Sequence, residues 1–153
     1  MKKKYKIPIS VLIVIYNKEL EVLLLHRKDR KNFWQSVTGS IELEESPYEA
    51  AIREVKEETS IDTKIYPLQD WHLSNQYKIY SHWRNRYAPG ITHNIEHIFG
   101  LEVPKDIIIK LEPKEHIDYD WLSIKDAKEK VFSWTNRLAI EKLDEIMNCK
   151  NKN

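Results

Sequence analysis

The chain has 153 residues, of which 41% are hydrophobic, and this size and composition fit one globular domain with its own core. Its formal net charge is +1, so no overall electrostatic field favours nucleic acid or an anionic membrane as a partner. The single cysteine, Cys149, cannot form an internal disulfide, and we predict a cytoplasmic protein. A polyanionic ligand would have to be bound by a local cluster of charges or through a bound cation.

An apolar run from residue 8 to residue 16 follows the lysine-rich start of the chain and superficially resembles a secretion signal. It lacks a small-residue cleavage site and is too short to span a bilayer, so we interpret it as a buried strand. The apolar segment over residues 21–26 is expected to pair with it. Further strands are predicted over residues 35–38, 61–71, 77–83, 94–103 and 117–122.

The clearest helix follows Ser46, which can cap it, because Pro47 suits the first helical position and Glu49 completes a Ser-x-x-Glu capping box. Two more helices are predicted over residues 124–131 and 134–147. On the first helix, the spacing predicts one buried stripe made of Tyr48, Ala51, Ile52, Val55 and Thr59.

Strands and helices alternate along the chain, and no linker divides it. We therefore expect a single α/β domain over residues 1–153, with a mixed sheet covered by helices on both faces. The polar residues from about 148 to 153 are expected to form a disordered tail.

Three glutamates, Glu54, Glu57 and Glu58, lie near the end of the first helix, where the helix dipole presents partial negative charge. Glu54 is spaced to face both of the others, and each like-charge contact costs roughly 0.2–0.5 kcal/mol in an isolated helix. A hard divalent cation would convert this repulsion into chelation, since carboxylate oxygens are the ligands that Mg²⁺ prefers. A solvated acidic face is the alternative. The position of the acids at the unfavourable end of the helix, after a glycine turn, favours the metal site.

A longer pattern connects Gly39 to this helix: five residues, Glu45, seven residues, the run from Arg53 to Glu58, one residue, then Ser60 and Ile61. This pattern resembles the Nudix box, G-x5-E-x7-R-E-U-x-E-E-x-G-U with U aliphatic, except that Ser60 replaces the second glycine. Serine accepts a left-handed helix exit less readily than glycine, but the acids are intact. The resemblance implies the Nudix fold, an α/β/α sandwich with a mixed sheet. It also implies Mg²⁺-dependent hydrolysis of a phosphoanhydride bond, with Mn²⁺ as a possible substitute.

Segments outside the box extend the resemblance to one subgroup of the family, over residues 33–40, 82–90, 115–122 and 133–137. That subgroup hydrolyses dihydroneopterin triphosphate to the monophosphate and pyrophosphate in folate biosynthesis, and its members are often described as dATP pyrophosphohydrolases. The resemblance implies a small-molecule triphosphate substrate, with no nucleic acid or membrane partner, and leaves the oligomeric state open.

Two alternatives remain at this point. A pterin and a purine share a fused-ring donor–acceptor edge, so a (d)NTP pyrophosphohydrolase that clears dATP or oxidised nucleotides is the nearer alternative. A non-catalytic Nudix-fold binding module is the other, although such proteins usually lose box glutamates, which are all present here.

The resemblance also implies catalytic roles. Glu54 and Glu58 are expected to bind the metal, and Glu57 to bind it directly or through water. Arg53 should orient these acids through a bidentate bond, to Glu45 or to Glu57. Outside the box, the best candidate for a further metal ligand or a general base is Glu115, in a loop just before a predicted strand.

Residues expected to bind the substrate combine cations for the phosphates with hydroxyl and aromatic groups for the ring. Arg84 and Arg86 are alternative phosphate ligands, and Trp121 and Trp134 are interpreted as core residues. The predicted substrate contacts are Lys6, Arg27, Thr38, Tyr80 and Ser133.

Overall fold

The computed structural model describes residues 4–151, apart from the side chain of Asn151, and within that range seven strands form one sheet. Three α-helices and one 3-10 helix, Ser81–Arg86, accompany the sheet. The helices are α1 (Pro47–Thr59), α2 (Ile124–Lys130) and α3 (Trp134–Asn151). The strands are β1 (Ile9–Tyr16), β2 (Glu21–Arg27), β3 (Trp34–Gln35), β4 (Val37–Ser40), β5 (Gln69–Lys78), β6 (His93–Glu102) and β7 (His116–Ser123).

The central strand is β1, which runs parallel to β6 along its whole length. On its other edge it has two antiparallel partners in succession, β4 over residues 10–13 and β2 where Tyr16 meets Val22. The strand order is β3-β2-β1-β6-β5, with β7 as a third partner of β2. The sheet is therefore mixed, as predicted.

Both faces of the sheet are covered. Residues Val11, Ile13 and Ile15 of β1 belong to the core under α1. The alternate residues of β1, such as Leu12 and Val14, belong to the core under α2 and α3. This confirms the prediction of a buried strand and of an α/β/α sandwich, since a strand buried on both faces must be apolar at nearly every position. No helix between residues 4 and 151 is long and apolar enough to cross a membrane.

The start of α1 agrees with its predicted cap. The Glu49 backbone N–H donates to the Ser46 hydroxyl at 3.1 Å, and the Glu49 carboxylate accepts from the Ser46 backbone N–H at 3.1 Å. At the other end Ser60 adopts the left-handed conformation, with φ of 66°. Its hydroxyl donates to the Lys110 carbonyl at 3.2 Å, which helps to offset the strain of a non-glycine residue there.

The predicted strand over residues 61–71 is wrong in its first part, which forms turns, and β5 begins only at Gln69. The Asp62 side chain accepts a hydrogen bond from the Lys64 backbone N–H at 2.9 Å, and such local bonds compete with strand pairing. Pro67 also lacks the N–H that a strand ladder needs.

The predicted strand over residues 77–83 is wrong after Lys78, where β5 ends and a 3-10 helix soon follows. The Tyr80 carbonyl accepts a hydrogen bond from the Trp83 backbone N–H at 2.9 Å, which closes a tight turn. This turn directs the aromatic side chains of the segment toward one another.

The predicted strand over residues 35–38 is divided between β3, which pairs with β2, and β4, which pairs with β1. Ser36 separates the two, and its backbone N–H donates to the Asn136 side-chain oxygen at 2.9 Å instead of to a strand. The predicted tail over residues 148–153 is helical as far as the end of α3, because Leu143 and Met147 pack that helix against the core. Residues 152 and 153 lie outside the described part of the chain.

Candidate active site

One cleft of about 960 Å³ reaches from α1 to the beginning of α3. We call its two parts the acidic end, made of Glu54, Glu58, Glu115 and His116, and the polar end, made of Ser10, Tyr77, Glu96 and Asn136. A third surface of the cleft, the aromatic wall, consists of Phe33, Tyr80, Trp83 and Phe132.

The predicted stripe on α1 is buried at Ala51, Val55 and Thr59 but not at its first residue. Tyr48 is 44% exposed, whereas Glu54 and Glu58 are only 8% and 1% exposed. The two acids face β4, where the absent side chain of Gly39 makes room for them: a Cβ built there would overlap the Glu54 carboxylate. A glycine is therefore required at position 39 by the close approach of the helix, as the box predicts.

Arg53 holds the acids in position. Its Nε and Nη2 donate to the two Glu45 carboxylate oxygens at 2.8 and 2.9 Å, so the bidentate bond is to Glu45, one of the two predicted partners. Its Nη1 donates to Glu54 Oε1 at 2.6 Å and to Glu57 Oε2 at 3.4 Å. The bond to Arg53 lowers the pKa of Glu45 below its usual range.

Potential metal-ligating atoms of Glu58, Glu115 and His116 all lie within 4.8 Å of one another. Burial, followed by the neighbouring Glu54 carboxylate, raises the pKa of Glu58 well above its usual value. Burial also lowers the pKa of His116 to about 4, so its imidazole is neutral at pH 7. A neutral imidazole can coordinate a cation, whereas an imidazolium cannot.

The donor set fits a divalent cation. Glu58 Oε2 and His116 Nδ1 are buried and have no hydrogen-bond partner among the described residues. Buried polar atoms are nearly always satisfied, and two carboxylates in contact, Glu54 and Glu58, repel each other unless a positive charge lies between them. Carboxylate oxygens suit Mg²⁺ or Mn²⁺, and one imidazole suits Mn²⁺ as well.

At the polar end, Glu96 is 4% exposed and Asn94 is fully buried. The Asn94 amide donates to Ser10 Oγ at 2.7 Å and to Tyr77 Oη at 3.1 Å. Burial raises the pKa of Glu96 to about 7, while a hydrogen bond from Thr135 acts in the opposite direction. The polar end therefore has one carboxylate, whereas the acidic end has a cluster of three.

A family model for the NUDIX domain matches residues 6–143. The chain belongs to the NUDIX domain family. It is 46% identical over 142 residues to the dihydroneopterin triphosphate diphosphatase of Escherichia coli strain K12, covering 91% of this chain and 93% of that protein. The protein of the same name from Haemophilus influenzae is also 46% identical over 142 residues, covering 91% of this chain and 89% of its own.

Solved structures agree with this assignment. The E. coli dihydroneopterin triphosphate pyrophosphohydrolase superimposes with a TM-score of 0.85 at 45% identity, covering 92% of this chain and 97% of that chain. An Ap4A hydrolase from Caenorhabditis elegans superimposes with a TM-score of 0.74 at 20% identity, which shows the fold alone. The fold of this Nudix protein is therefore the one that the sequence predicted.

Four of the predicted catalytic residues meet in the cleft: Arg53, Glu54, Glu58 and Glu115 all line it. Glu57 does not join them, because its side chain is 52% exposed and its carboxylate contacts Arg53. A role for Glu57 as a metal ligand, directly or through water, stays a prediction. His116 was missed, although its position directly after Glu115 at the beginning of β7 could have indicated it.

The predicted phosphate ligands Lys6 and Arg27 also line the cleft. Arg27 donates to both oxygens of Asp29, at 2.8 and 2.5 Å, and its guanidinium lies 5.3 Å from the ring centroid of Trp83. Partial burial, followed by the nearby Arg86 and Arg27, lowers the pKa of Lys6. The contribution of the two arginines indicates a concentration of positive charge, which an anionic ligand would relieve.

The predicted ring contacts are partly engaged within the protein. The Thr38 hydroxyl donates to the Val11 carbonyl at 2.8 Å. The Ser133 hydroxyl caps α3 by accepting from the Thr135 and Asn136 backbone N–H groups, at 3.2 and 3.3 Å. Tyr80 belongs to the aromatic wall, with ring centroids 5.6 and 5.5 Å from those of Trp83 and Phe132.

The interpretation of Trp134 as a core residue is wrong, because its side chain is 46% exposed and lines the cleft. Trp134 is the first residue of α3, which begins at the cleft surface. Trp121 is partly buried against the core under α1. Of the two alternative cations, Arg86 lines the cleft, whereas the Arg84 Nε donates to the Ile79 carbonyl at 3.3 Å. The polar end, and Glu96 in particular, was not predicted.

Proposed function

We propose that this protein is a divalent-cation-dependent pyrophosphohydrolase that converts dihydroneopterin triphosphate into dihydroneopterin monophosphate and pyrophosphate. The observation that carries this conclusion is that one continuous cleft joins a buried cluster of metal ligands to a polar end suited to a heterocyclic ring. The relatives at 46% identity are diphosphatases of this same substrate. We propose Mg²⁺ as the cation, with Mn²⁺ able to replace it.

Glu58, Glu115 and His116 would hold the cation, with Glu54 beside them. A bound divalent cation neutralises phosphate charge and lowers the pKa of a coordinated water. Arg53 keeps the Glu54 carboxylate in place through its 2.6 Å bond, and its own position is fixed by Glu45. Glu115, which is exposed at the cleft, is free to act either as a ligand or as the base that takes a proton from the attacking water.

Lys6 and Arg27 would bind phosphate oxygens that the cation leaves unpaired. The Arg27 guanidinium is oriented by Asp29 and by its contact with the Phe33 ring, so little side-chain entropy is lost when a phosphate binds. The aromatic wall, next to these cations, gives the ring a surface for stacking.

A nucleotide pyrophosphohydrolase is the second candidate, because the triphosphate and cation contacts would be common to both substrates. The binding-module alternative is disfavoured because Arg53, Glu54, Glu57 and Glu58 are all present. A cytoplasmic location remains a prediction.

A direct measurement of kcat/KM on dihydroneopterin triphosphate and on dATP, with Mg²⁺, tests the proposal. We expect the pterin substrate to exceed dATP by at least about tenfold, because a polar site rejects rings that leave its buried groups unpaired. Pyrophosphate, not inorganic phosphate, should be the released product, and addition of a chelator should stop the reaction. Equal efficiency on the two substrates would favour the nucleotide reaction and leave the cation site unaffected.

A further inference from the structure

Glu96 is a buried carboxylate with unused hydrogen-bonding capacity. It lies within β6, lines the polar end of the cleft and is 4% exposed. Its Oε1 has no hydrogen-bond partner among residues 4–151, whereas the Thr135 hydroxyl bonds to the carboxylate. Because buried acceptors are nearly always paired in folded proteins, an unpaired oxygen on a cleft wall indicates a partner supplied by a ligand.

Two hydroxyl groups accompany this carboxylate. Ser10 is the direct neighbour of Glu96 in the register of β1 and β6, and Tyr77 lies on the adjacent strand β5. Both hydroxyls accept hydrogen bonds from the Asn94 amide, and they also bond to each other, so the pair keeps one hydroxyl hydrogen for another acceptor. The polar end therefore offers a carboxylate acceptor beside one hydroxyl donor.

The charge at this end restricts the chemistry of the ligand. A carboxylate repels a phosphate group, so the triphosphate does not bind here. The cluster of potential metal ligands found within residues 4–151 is at the acidic end and does not include Glu96. The raised pKa of Glu96 has burial as its largest cause, which agrees with a site that lacks a neighbouring cation. A neutral group with N–H donors is the complementary partner.

We propose that Glu96 selects the ring of the substrate. Its carboxylate accepts hydrogen bonds from the ring N–H and the 2-amino group of a 2-amino-4-oxopyrimidine, while one hydroxyl of the Ser10–Tyr77 pair donates to the 4-oxo group. The assignment rests on the proposed function, because it places the ring in the cleft whose acidic end takes the triphosphate. It also makes Glu96 a specificity-determining residue that sequence motifs do not indicate.

The proposal separates pterin and guanine from adenine. Pterin and guanine have the same hydrogen-bonding edge, in which two donors, the 2-amino group and the ring N–H, stand next to one acceptor, the oxo group. This edge complements the proposed site. Adenine presents an acceptor nitrogen where the others carry N–H, and that nitrogen would face the ionised carboxylate. A glutamine at position 96 removes this repulsion, because its amide can donate to the adenine nitrogen, whereas it can no longer accept two hydrogen bonds from pterin or guanine, so the preference should weaken.

The test compares dihydroneopterin triphosphate, dGTP and dATP as substrates, with Mg²⁺ at about pH 8, where the carboxylate is ionised. We expect Glu96→Gln to lower kcat/KM for the pterin substrate and for dGTP by at least about tenfold and to leave dATP unchanged or improved. The matched control is Glu102→Gln, which lies at the other end of β6 and outside the cleft lining. It should leave kcat/KM unchanged for all three substrates. An equal loss on the three substrates would overturn the proposal.

Binding of neopterin, which has no phosphate, gives a second measurement that does not depend on catalysis. Its intrinsic fluorescence reports the Kd, which should rise by at least about tenfold in Glu96→Gln, and by less in the hydroxyl deletion Tyr77→Phe. An unchanged Kd in Glu96→Gln would overturn the proposal. Suppose that the wild-type protein shows no preference for the pterin substrate over the nucleotides, while Glu96→Gln lowers kcat/KM for dGTP relative to that for dATP. In that case the proposed function fails and the role of Glu96 in ring selection stands.

Discussion

The acidic end and the polar end of the cleft each bury a carboxylate oxygen that has no partner among the described residues, Oε2 of Glu58 and Oε1 of Glu96. Their surroundings differ. Glu58 contacts Glu54 and lies near Glu115, so negative charge accumulates and a cation is required to balance it. Glu96 stands among hydroxyl groups, so a neutral N–H donor is sufficient. The number of acids around a buried carboxylate, more than its burial, indicates which ligand it binds.

The same difference is visible in the causes of the two pKa shifts. Burial is the largest cause at both carboxyls, and it raises the pKa in each case. At Glu58 the neighbouring Glu54 raises the pKa further, whereas at Glu96 the other cause is the Thr135 hydrogen bond, which lowers it. Substitutions that remove one charge should therefore affect the two ends differently.

The largest expected effect follows from Glu58→Gln. The substitution keeps the shape of the side chain and removes a charge that the cation needs. We expect kcat on the pterin substrate to fall by about 100-fold or more, because the cation supplies several kcal/mol of transition-state stabilisation. Steady-state kinetics with saturating Mg²⁺ measures this loss.

Glu129→Gln, on the exposed surface of α2, is the control for Glu58→Gln and should retain full activity. The metal-free Glu58→Gln protein should melt at the same or a higher temperature than wild type, since like-charge repulsion is removed. If its activity remains within about threefold of wild type, Glu58 does not bind the cation.

Gly39→Ala should produce the next largest effect, because the new Cβ would overlap the Glu54 carboxylate and displace it from the acidic end. We expect at least about a tenfold loss of kcat/KM, since a small misplacement of catalytic groups is costly. Gly90→Ala is the informative comparison. A Cβ added at Gly90 would have no atom within 4 Å, but the φ of 90° at this residue disfavours alanine. That variant should lose stability and keep its activity, and the reverse pattern would contradict the structure.

The sequence pointed to Glu54 and Glu58 of the acidic end because these two residues lie close together in the chain, between Gly39 and Ile61, on one helix, whereas His116 lies far away at the beginning of β7 and was missed. Local spacing therefore carried most of the information. The strands with long apolar runs, such as β1, were also predicted correctly. The segments over residues 61–71 and 77–83 were not, because side-chain and backbone bonds formed within each segment close turns there.

The polar end could not be predicted because it is assembled from distant segments. Ser10 and Glu96 become neighbours only through the parallel pairing of β1 with β6. Within β6, polar residues such as Asn94 and Glu96 on one face look the same in the sequence whether that face is exposed to solvent or lines a cleft. The burial of Glu96 depends on the docking of α3, and Thr135 at the beginning of that helix gives no local signal of it.

Glu96 should also make stability depend on pH. Its pKa is about 7 in the folded protein, against an ordinary value of 4.5 for a solvated glutamate, so folding is penalised as pH rises between these values. The full penalty, on the order of 3 kcal/mol, is present above about pH 7 and absent below about pH 4.5. Glu96→Gln lacks it, so the melting temperature of the variant minus that of wild type should be larger at pH 8 than at pH 5. A constant difference would mean that Glu96 is ionised at both values of pH.

The smallest effect that we expect is a change in the stabilisation by Mg²⁺. The cation binds a cluster that exists only in the folded state, so at about ten times its Kd it should add roughly 1.4 kcal/mol, or about 3–5 °C. Glu54→Gln removes a carboxylate that contacts Glu58, so the shift should decrease, while the metal-free protein should melt no lower than wild type. Thermal melts with and without Mg²⁺ measure both quantities, and Glu96→Gln should show the wild-type shift because the polar end binds no cation. If the shift is unchanged in Glu54→Gln and reduced in Glu96→Gln, the two ends of the cleft have been assigned to the wrong ligands.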